Sequence, residues 1–168
     1  TAGAMGSITY WAPTEVDMTV TFKGRKAHAG VEPEKGIDAI RVAAEAVAAM
    51  PLGRIDEETV ANIGTIAGGD ARNIVPDHAR LEGSARSHDQ AKLDAQLDAM
   101  RAACEAAAAR HGAEMDFSSE EIYRTYRIHP DAPPFREAAA AIRALGLEVA
   151  PRKSGGGTDG NYFNAKGI

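Results

Sequence analysis

Glu15-Val-Asp-Met-Thr-Val-Thr-Phe22 decides the fold class. Successive side chains of an extended chain point to opposite faces, so Val16, Met18, Val20 and Phe22 share one side while Glu15, Asp17, Thr19 and Thr21 share the other. The stretch is a strand with one buried and one polar face. Gly24 breaks it, and a polar turn runs through His28 to Pro33. From Gly36 onward Ile37, Ile40, Ala44, Val47 and Met50 recur at helical spacing, and Pro51 and Gly53 stop that helix. Residues 59–66 are β-branched and bounded by Gly68-Gly69, a second strand; 79–86 alternate as its antiparallel partner. Asp89 caps a long alanine-rich helix with Leu93, Leu97, Met100, Cys104 and Ala107 on one face, and Gly112 ends it. Ala113, Met115 and Phe117 alternate in a last strand. The order β-α-β-β-α-β over about residues 14–122 predicts an α+β, ferredoxin-like split arrangement: a four-stranded antiparallel sheet with both helices on one face.

Outside that unit the pattern changes. Residues 1–13 read as a tag or linker, with Gly3-Ala-Met-Gly-Ser7 resembling a cloning scar. Asp131-Ala-Pro-Pro134 opens a helix over about 135–145, 147–150 form a short strand and 154–160 a glycine-rich loop. With Gly167-Ile168 following so soon, 126–168 read as a truncated piece of a second domain whose apolar face (Phe135, Ile142, Leu145, Val149) lacks its partner. The 168 residues carry 19 Lys and Arg against 24 Asp and Glu, a formal charge of −5. That balance argues against a nucleic-acid partner, which needs a concentrated basic face. No apolar run nears the roughly 18 residues of a membrane span, and no signal segment opens the chain. The single Cys104 excludes an internal disulfide and a multi-thiolate metal site, and makes the cytoplasm the default compartment.

Four features offer chemistry. His28 lies in the turn Gly24-Arg-Lys-Ala-His28-Ala-Gly, between strand and helix. Asn73-Ile-Val-Pro76-Asp77 joins two strands, with Arg86 further along. Ser154-Gly-Gly-Gly-Thr158-Asp159-Gly160-Asn161 lets backbone N–H groups approach an anion or oxyanion, yet lacks the lysine of a phosphate-binding loop. His78, His88, His111 and His129 sit at no metal-binding spacing and read as surface residues. Taken singly, each feature is more simply a solvated side chain or an ordinary turn former.

In this order the motifs resemble the dizinc exopeptidase superfamily of tripeptidase T, glutamate carboxypeptidase, aminoacylase and succinyl-diaminopimelate desuccinylase, with the closest look to tripeptidase T-like peptidases. The resemblance runs from about residue 14 onward. It implies a lid and dimerisation domain over 14–125, with 126–168 from the catalytic domain. It further implies a homodimer, small peptide substrates and two zinc ions in the whole enzyme. His28 matches the lid histidine that reaches into the partner subunit's active site and polarises the scissile carbonyl. Asn73 and Arg86 match substrate-holding lid groups, and Gly156, Gly157, Thr158 and Asp159 the glycine-rich substrate loop. The family's zinc ligands and catalytic glutamate have no counterpart in these residues, so the stretch itself is expected to hold no metal and to be inactive. Asp38 also stands where relatives often carry Asn. Two alternatives remain at this point: a free-standing ferredoxin-like binding or regulatory module, and an unrelated hydrolase using His28 and Asp159. The glycine-rich loop speaks against the first, and the lack of an activated Ser or Cys motif against the second.

Overall fold

The computed structural model describes residues 4–168; residues 1–3, part of the stretch read as a tag, lie outside the described residues. In chain order the elements are β1 (Ser7–Ala12), β2 (Thr14–Lys23), β3 (Ala27–His28), α1 (Ala39–Ala49), β4 (Gly53–Arg54), β5 (Thr59–Gly68), β6 (Ile74–Val75) and β7 (His78–Ser87). They continue with α2 (Gln90–His111), β8 (Glu114–Tyr123), β9 (Tyr126–Arg127), α3 (Pro133–Ala144), β10 (Ala150–Lys153) and α4 (Asp159–Ala165).

The main sheet runs β4-β5-β7-β2-β8 and is antiparallel throughout. Its four long strands have the ferredoxin-like order expected from the sequence. The addition is β4, two residues that pair with β5 only at Val60 and Ala61. Val16, Met18, Val20 and Phe22 of β2 point into the core with Ala79, Leu81 and Ala85 of β7, and both helices cover that face.

Helix α1 turns a different face inward than the apolar spacing suggests. Ala39, Val42, Ala43 and Ala46 are buried, whereas Ile40 stays 40% exposed. Small residues let this helix approach the sheet closely, and that contact outranks the bulk of Ile40. Helix α2 buries Leu93, Met100, Cys104 and Ala107 as expected, and adds Gln96, whose amide donates to the Pro51 carbonyl at 2.7 Å. The Asp89 side chain accepts from the Lys92 N–H at 3.0 Å, an N-cap that contributes about 1 kcal/mol, and Gly112 at φ 68° closes the helix in the left-handed region.

Within the stretch read as tag or linker, Ser7–Ala12 form a strand. Ile8, Thr9, Tyr10 and Trp11 have strong strand preference, and β1 forms the centre of a second sheet, β10-β1-β9, parallel to β10 and antiparallel to β9. The final strand is Ala150–Lys153 rather than 147–150. Helix α3 lies against β1 and buries Phe135 and Ala139, so part of the tail's apolar face does find cover; Leu145 remains 76% exposed. Trp11 ties the two sheets together. Lys153 Nζ stands 4.1 Å and Arg127 Cζ 4.6 Å from its ring centre, and the His88 ring meets it edge-on at 4.8 Å. His88 is therefore no surface residue, since both ring nitrogens are buried. His111 is likewise half-buried, 2.7 Å from the Glu45 carboxylate on α1. Among the described residues no helix is long and apolar enough to cross a membrane.

Burial raises the Cys104 thiol to about 11, with Glu105 adding to the shift. A thiol deprotonates only as pH climbs to its pKa, so at pH 8 the folded chain holds essentially no thiolate. Iodoacetamide labelling at pH 8 is expected to be negligible until urea unfolds the chain, and to follow the unfolding curve thereafter. Rapid labelling of the folded protein would show the helix–sheet interface to be open.

Candidate functional site

The sequence-predicted residues fall into two groups at opposite ends of the main sheet. At one end, β3 pairs with β6 in a short flap, His28 facing Ile74 and Ala27 facing Val75. The Asn73 carbonyl accepts from the Ala29 N–H at 3.1 Å, so the backbones carrying His28 and Asn73 lie side by side, with Asn73 opposite Ala29. His28 is exposed, and its Nδ1 accepts from the Gly30 N–H at 3.1 Å. That bond places the proton of the neutral ring on Nε2, leaving an outward donor.

The other end holds Arg86 and the glycine-rich loop. Direct cross-strand partners share a face, and one row crosses the whole sheet: Arg54 opposite Val60, Val60 opposite Arg86, Arg86 opposite Glu15, Glu15 opposite Tyr123. It lies on the face away from the helices. Arg86 Nη2 donates to Glu15 Oε1 at 2.6 Å, and the Glu15 side chain is only 12% exposed. Gly157 N–H donates to the Tyr123 hydroxyl at 2.8 Å. Burial first, and then the hydrogen bond to Glu15, push the Tyr123 phenol up to about 12, so it stays protonated and bridges the carboxylate to the loop. A Cβ on Gly157 would overlap the Tyr123 ring, and one on Gly156 would stand 3.3 Å from Arg86 Nη1. The glycines are what let the loop close on this row.

Behind the loop, Thr158 bonds the Tyr126 hydroxyl at 3.0 Å and starts α4. Asn161 is 1% exposed. Its Oδ1 accepts from the Thr158 N–H at 2.8 Å, while its Nδ2 donates to the carbonyls of Pro13 at 3.1 Å and Arg124 at 2.8 Å. Pro13 and Arg124 are the two places where the chain crosses between the sheets, so Asn161 fastens the loop to both crossings. Glu15, Tyr123 and Asn161 were not picked out as site residues from the sequence. Asn161 had a legible signal, the Thr158-x-x-Asn161 spacing of a helix start; Glu15 and Tyr123 had none, because their roles depend on register.

The structure thus brings His28 to Asn73 and Arg86 to Gly156–Asp159, and keeps the two groups apart. Strand β7 runs from the flap end at His78 to Ser87, so at about 3.4 Å per residue the groups stand roughly 30 Å from each other. Among the described residues one set of three side chains could converge on a metal, Asp70, Asp77 and His78. It is mostly exposed, and the Lys26 ammonium already stands 2.7 Å from Asp70 and 3.7 Å from Asp77.

Residues 15–112 match the peptidase dimerisation domain family. The uncharacterized protein YqjE of Bacillus subtilis is 42% identical over 166 residues, covering 99% of this chain and 45% of that protein. Two solved structures align over 100% of this chain and 45% of their own: the aminopeptidase PepT of Bacillus cereus, at TM-score 0.91 and 39% identity, and a tripeptidase of Staphylococcus aureus, at 0.94 and 36%. A dinuclear metal-binding peptidase of Bacillus subtilis, 22% identical, shares the fold at TM-score 0.70, covering 96% of this chain and 42% of its own. The chain spans less than half the length of these relatives.

Replacing Asn161 by Ala leaves the buried Thr158 N–H and two backbone carbonyls without their partner. The expected cost is about 2–3 kcal/mol, read as a lower urea midpoint at unchanged slope. An unshifted midpoint would mean that water takes over all three bonds.

Proposed function

Because the chain belongs to the peptidase dimerisation domain family, we propose that it forms the dimerisation and substrate-capping part of a tripeptidase T-like metallopeptidase that hydrolyses small peptides in the cytoplasm. Residues 14–125 are the lid. Strand β1 with 126–168 is a piece of the catalytic domain, which accounts for a second sheet centred on the stretch before the lid.

The observation that carries this reading is the roughly 30 Å between the flap and the loop. His28 and Asn73 are exposed and preset for a ligand, yet nothing on their own protomer presents the glycine loop to them. A two-fold partner resolves this: His28 and Asn73 of one protomer meet Arg86 and Gly156–Asp159 of the other. Among the described residues no strand lies beside the outer edge of β5 beyond Ala61, and Ile66, 53% exposed, flanks it together with Ile40 of α1. An unpaired edge with apolar side chains beside it fits a second copy of itself.

In that composite site each group has a definite task. Arg86 holds a substrate carboxylate through the part of its fork that Glu15 leaves free. His28 donates its Nε2 proton to the scissile carbonyl oxygen as charge develops there, and Asn73 beside it orients the peptide. On the loop side the Gly156 and Gly157 N–H groups are already taken, by Ser154 Oγ at 3.2 Å and the Tyr123 hydroxyl at 2.8 Å, so the loop's part is to bring its side-chain-free backbone close to Arg86. The family's two zinc ions supply an activated water and carbonyl polarisation when bound. The donors of this chain do not fit such a centre: Asp70, Asp77 and His78 are crossed by Lys26, and the remaining histidines lie apart. The reading assigns the metal ligands to the rest of the enzyme and predicts that the 168-residue chain alone binds no stoichiometric zinc in equilibrium dialysis.

A donor to a developing oxyanion acts mainly in the transition state. His28→Ala in the full-length enzyme is therefore expected to lower kcat by about 10²–10³ with little change in KM. Mixing His28→Ala with Arg86→Ala subunits should recover activity, because a mixed dimer holds one site free of both changes. A mixture no more active than either parent would place the two residues in one protomer's site and sink the composite arrangement.

A further inference from the structure

Arg86 is the guanidinium expected to receive a substrate carboxylate, but its charge is already balanced. Glu15 lies 2.6 Å away and is mostly buried, with Tyr123 its direct partner on the neighbouring strand β8. A second anion brought to Arg86 meets the field of Glu15 as well, so Arg86 offers hydrogen bonds and geometry with little net attraction.

The same cross-strand row contains an unbalanced cation. Arg54 lies two strands from Arg86, on the same face, with Val60 between them. Among the described residues Arg54 makes no ion pair and no side-chain hydrogen bond. Arg54 and Arg86 line a cavity of about 400 Å³ with Val60, Asn62 and Ser84, and no acidic residue contributes to its wall. A neighbouring cavity of about 330 Å³ shares Arg54, Val60 and Arg86 and opens onto Ser154 and Gly155, the start of the glycine-rich loop. Glu57 and Glu58 border that second cavity only, and Glu58 is engaged by Lys92 at 3.0 Å and Lys153 at 3.7 Å. The first cavity therefore combines one free charge, one oriented fork, an amide and a hydroxyl. That is the donor set of a carboxylate site.

We propose that Arg54 is a specificity-determining residue that supplies the net positive charge for a substrate carboxylate in the cavity beside the glycine-rich loop, while Arg86, neutralised by Glu15, fixes its orientation. The proposal rests on the peptidase reading above and names a substrate feature, a negatively charged group away from the scissile bond. Arg54 sits on a two-residue edge strand, so its replacement leaves the core intact.

The test uses the full-length protein with three peptides: Ala-Ala-Ala, its C-terminal amide, and Ala-Ala-Glu amide. Arg54→Gln should reduce the ratio of kcat/KM for acid over amide by about ten-fold, the worth of one charge-assisted contact, and Arg54→Lys should keep most of that ratio. If the dependence appears instead with Ala-Ala-Glu amide, the bound carboxylate is a side chain rather than the C-terminus. Succinate binding, followed by calorimetry, should weaken about ten-fold in Arg54→Gln. An unchanged acid-to-amide ratio together with no preference for Ala-Ala-Glu amide, or succinate binding indifferent to Arg54, overturns the proposal. A protein that cleaves none of the peptides but binds succinate in an Arg54-dependent manner keeps the carboxylate site and removes the peptidase reading.

Discussion

Strands β2 and β7 are paired with each other without interruption from Thr14 opposite Ser87 to Lys23 opposite His78. That ladder is the constraint on which the rest depends. A strand flanked by partners on both sides is a stiff spacer, and here β5 and β8 flank the pair. Its length sets the separation between the His28 flap and the Arg86 row. No side-chain rearrangement within one protomer closes that gap, because closing it means breaking the central hydrogen bonds of the sheet. The same strands thus hold the His28 flap and the Arg86 row rigidly apart within a single chain.

Much of the lid was legible in the sequence because its signals are local. Alternation at Val16, Met18, Val20 and Phe22 fixed both the strand and its buried face, and Asp89 and Gly112 marked the ends of α2 by cap chemistry that needs no tertiary context. Where packing decides, the reading slipped. Ile40 is bulky and correctly spaced, yet the face carrying Ala39, Val42, Ala43 and Ala46 turns inward, since a close helix–sheet contact selects small residues. Ser7–Ala12 read as a linker because an isolated strand has no visible partner; its partners, β9 and β10, lie more than a hundred residues along the chain. His88 went the same way, its polar character masking a ring buried against Trp11.

The candidate site divides along the same line. His28, Asn73, Arg86 and Gly156–Asp159 could be picked out through the order of their motifs, whereas Glu15, Tyr123 and Arg54 could not. Glu15 reads as the polar face of a strand, Tyr123 as the last residue of another, and Arg54 as part of a turn after Pro51-Leu52. Register alone puts the three in one row with Arg86. Motif order singles out residues along the chain, while cross-strand pairing shows which side chains surround them.

The way Arg86 is held shows why that second set matters. An arginine left free in a half-buried cleft samples many rotamers and draws any anion; one fixed by a buried carboxylate is ordered but loses its net charge. The structure separates the two properties. Glu15 orders Arg86, Tyr123 stands opposite Glu15 and receives the Gly157 N–H, and Asn161 anchors the loop to Pro13 and Arg124. The first of these lies within the main sheet, and the Tyr123–Gly157 and Asn161 bonds join that sheet to the loop. Arg54 at the sheet edge, exposed and without an ion pair among the described residues, keeps its net charge outside that network. Order from the interior and charge from the rim thus divide between two arginines what one cannot supply, since the carboxylate that fixes a guanidinium also cancels its charge.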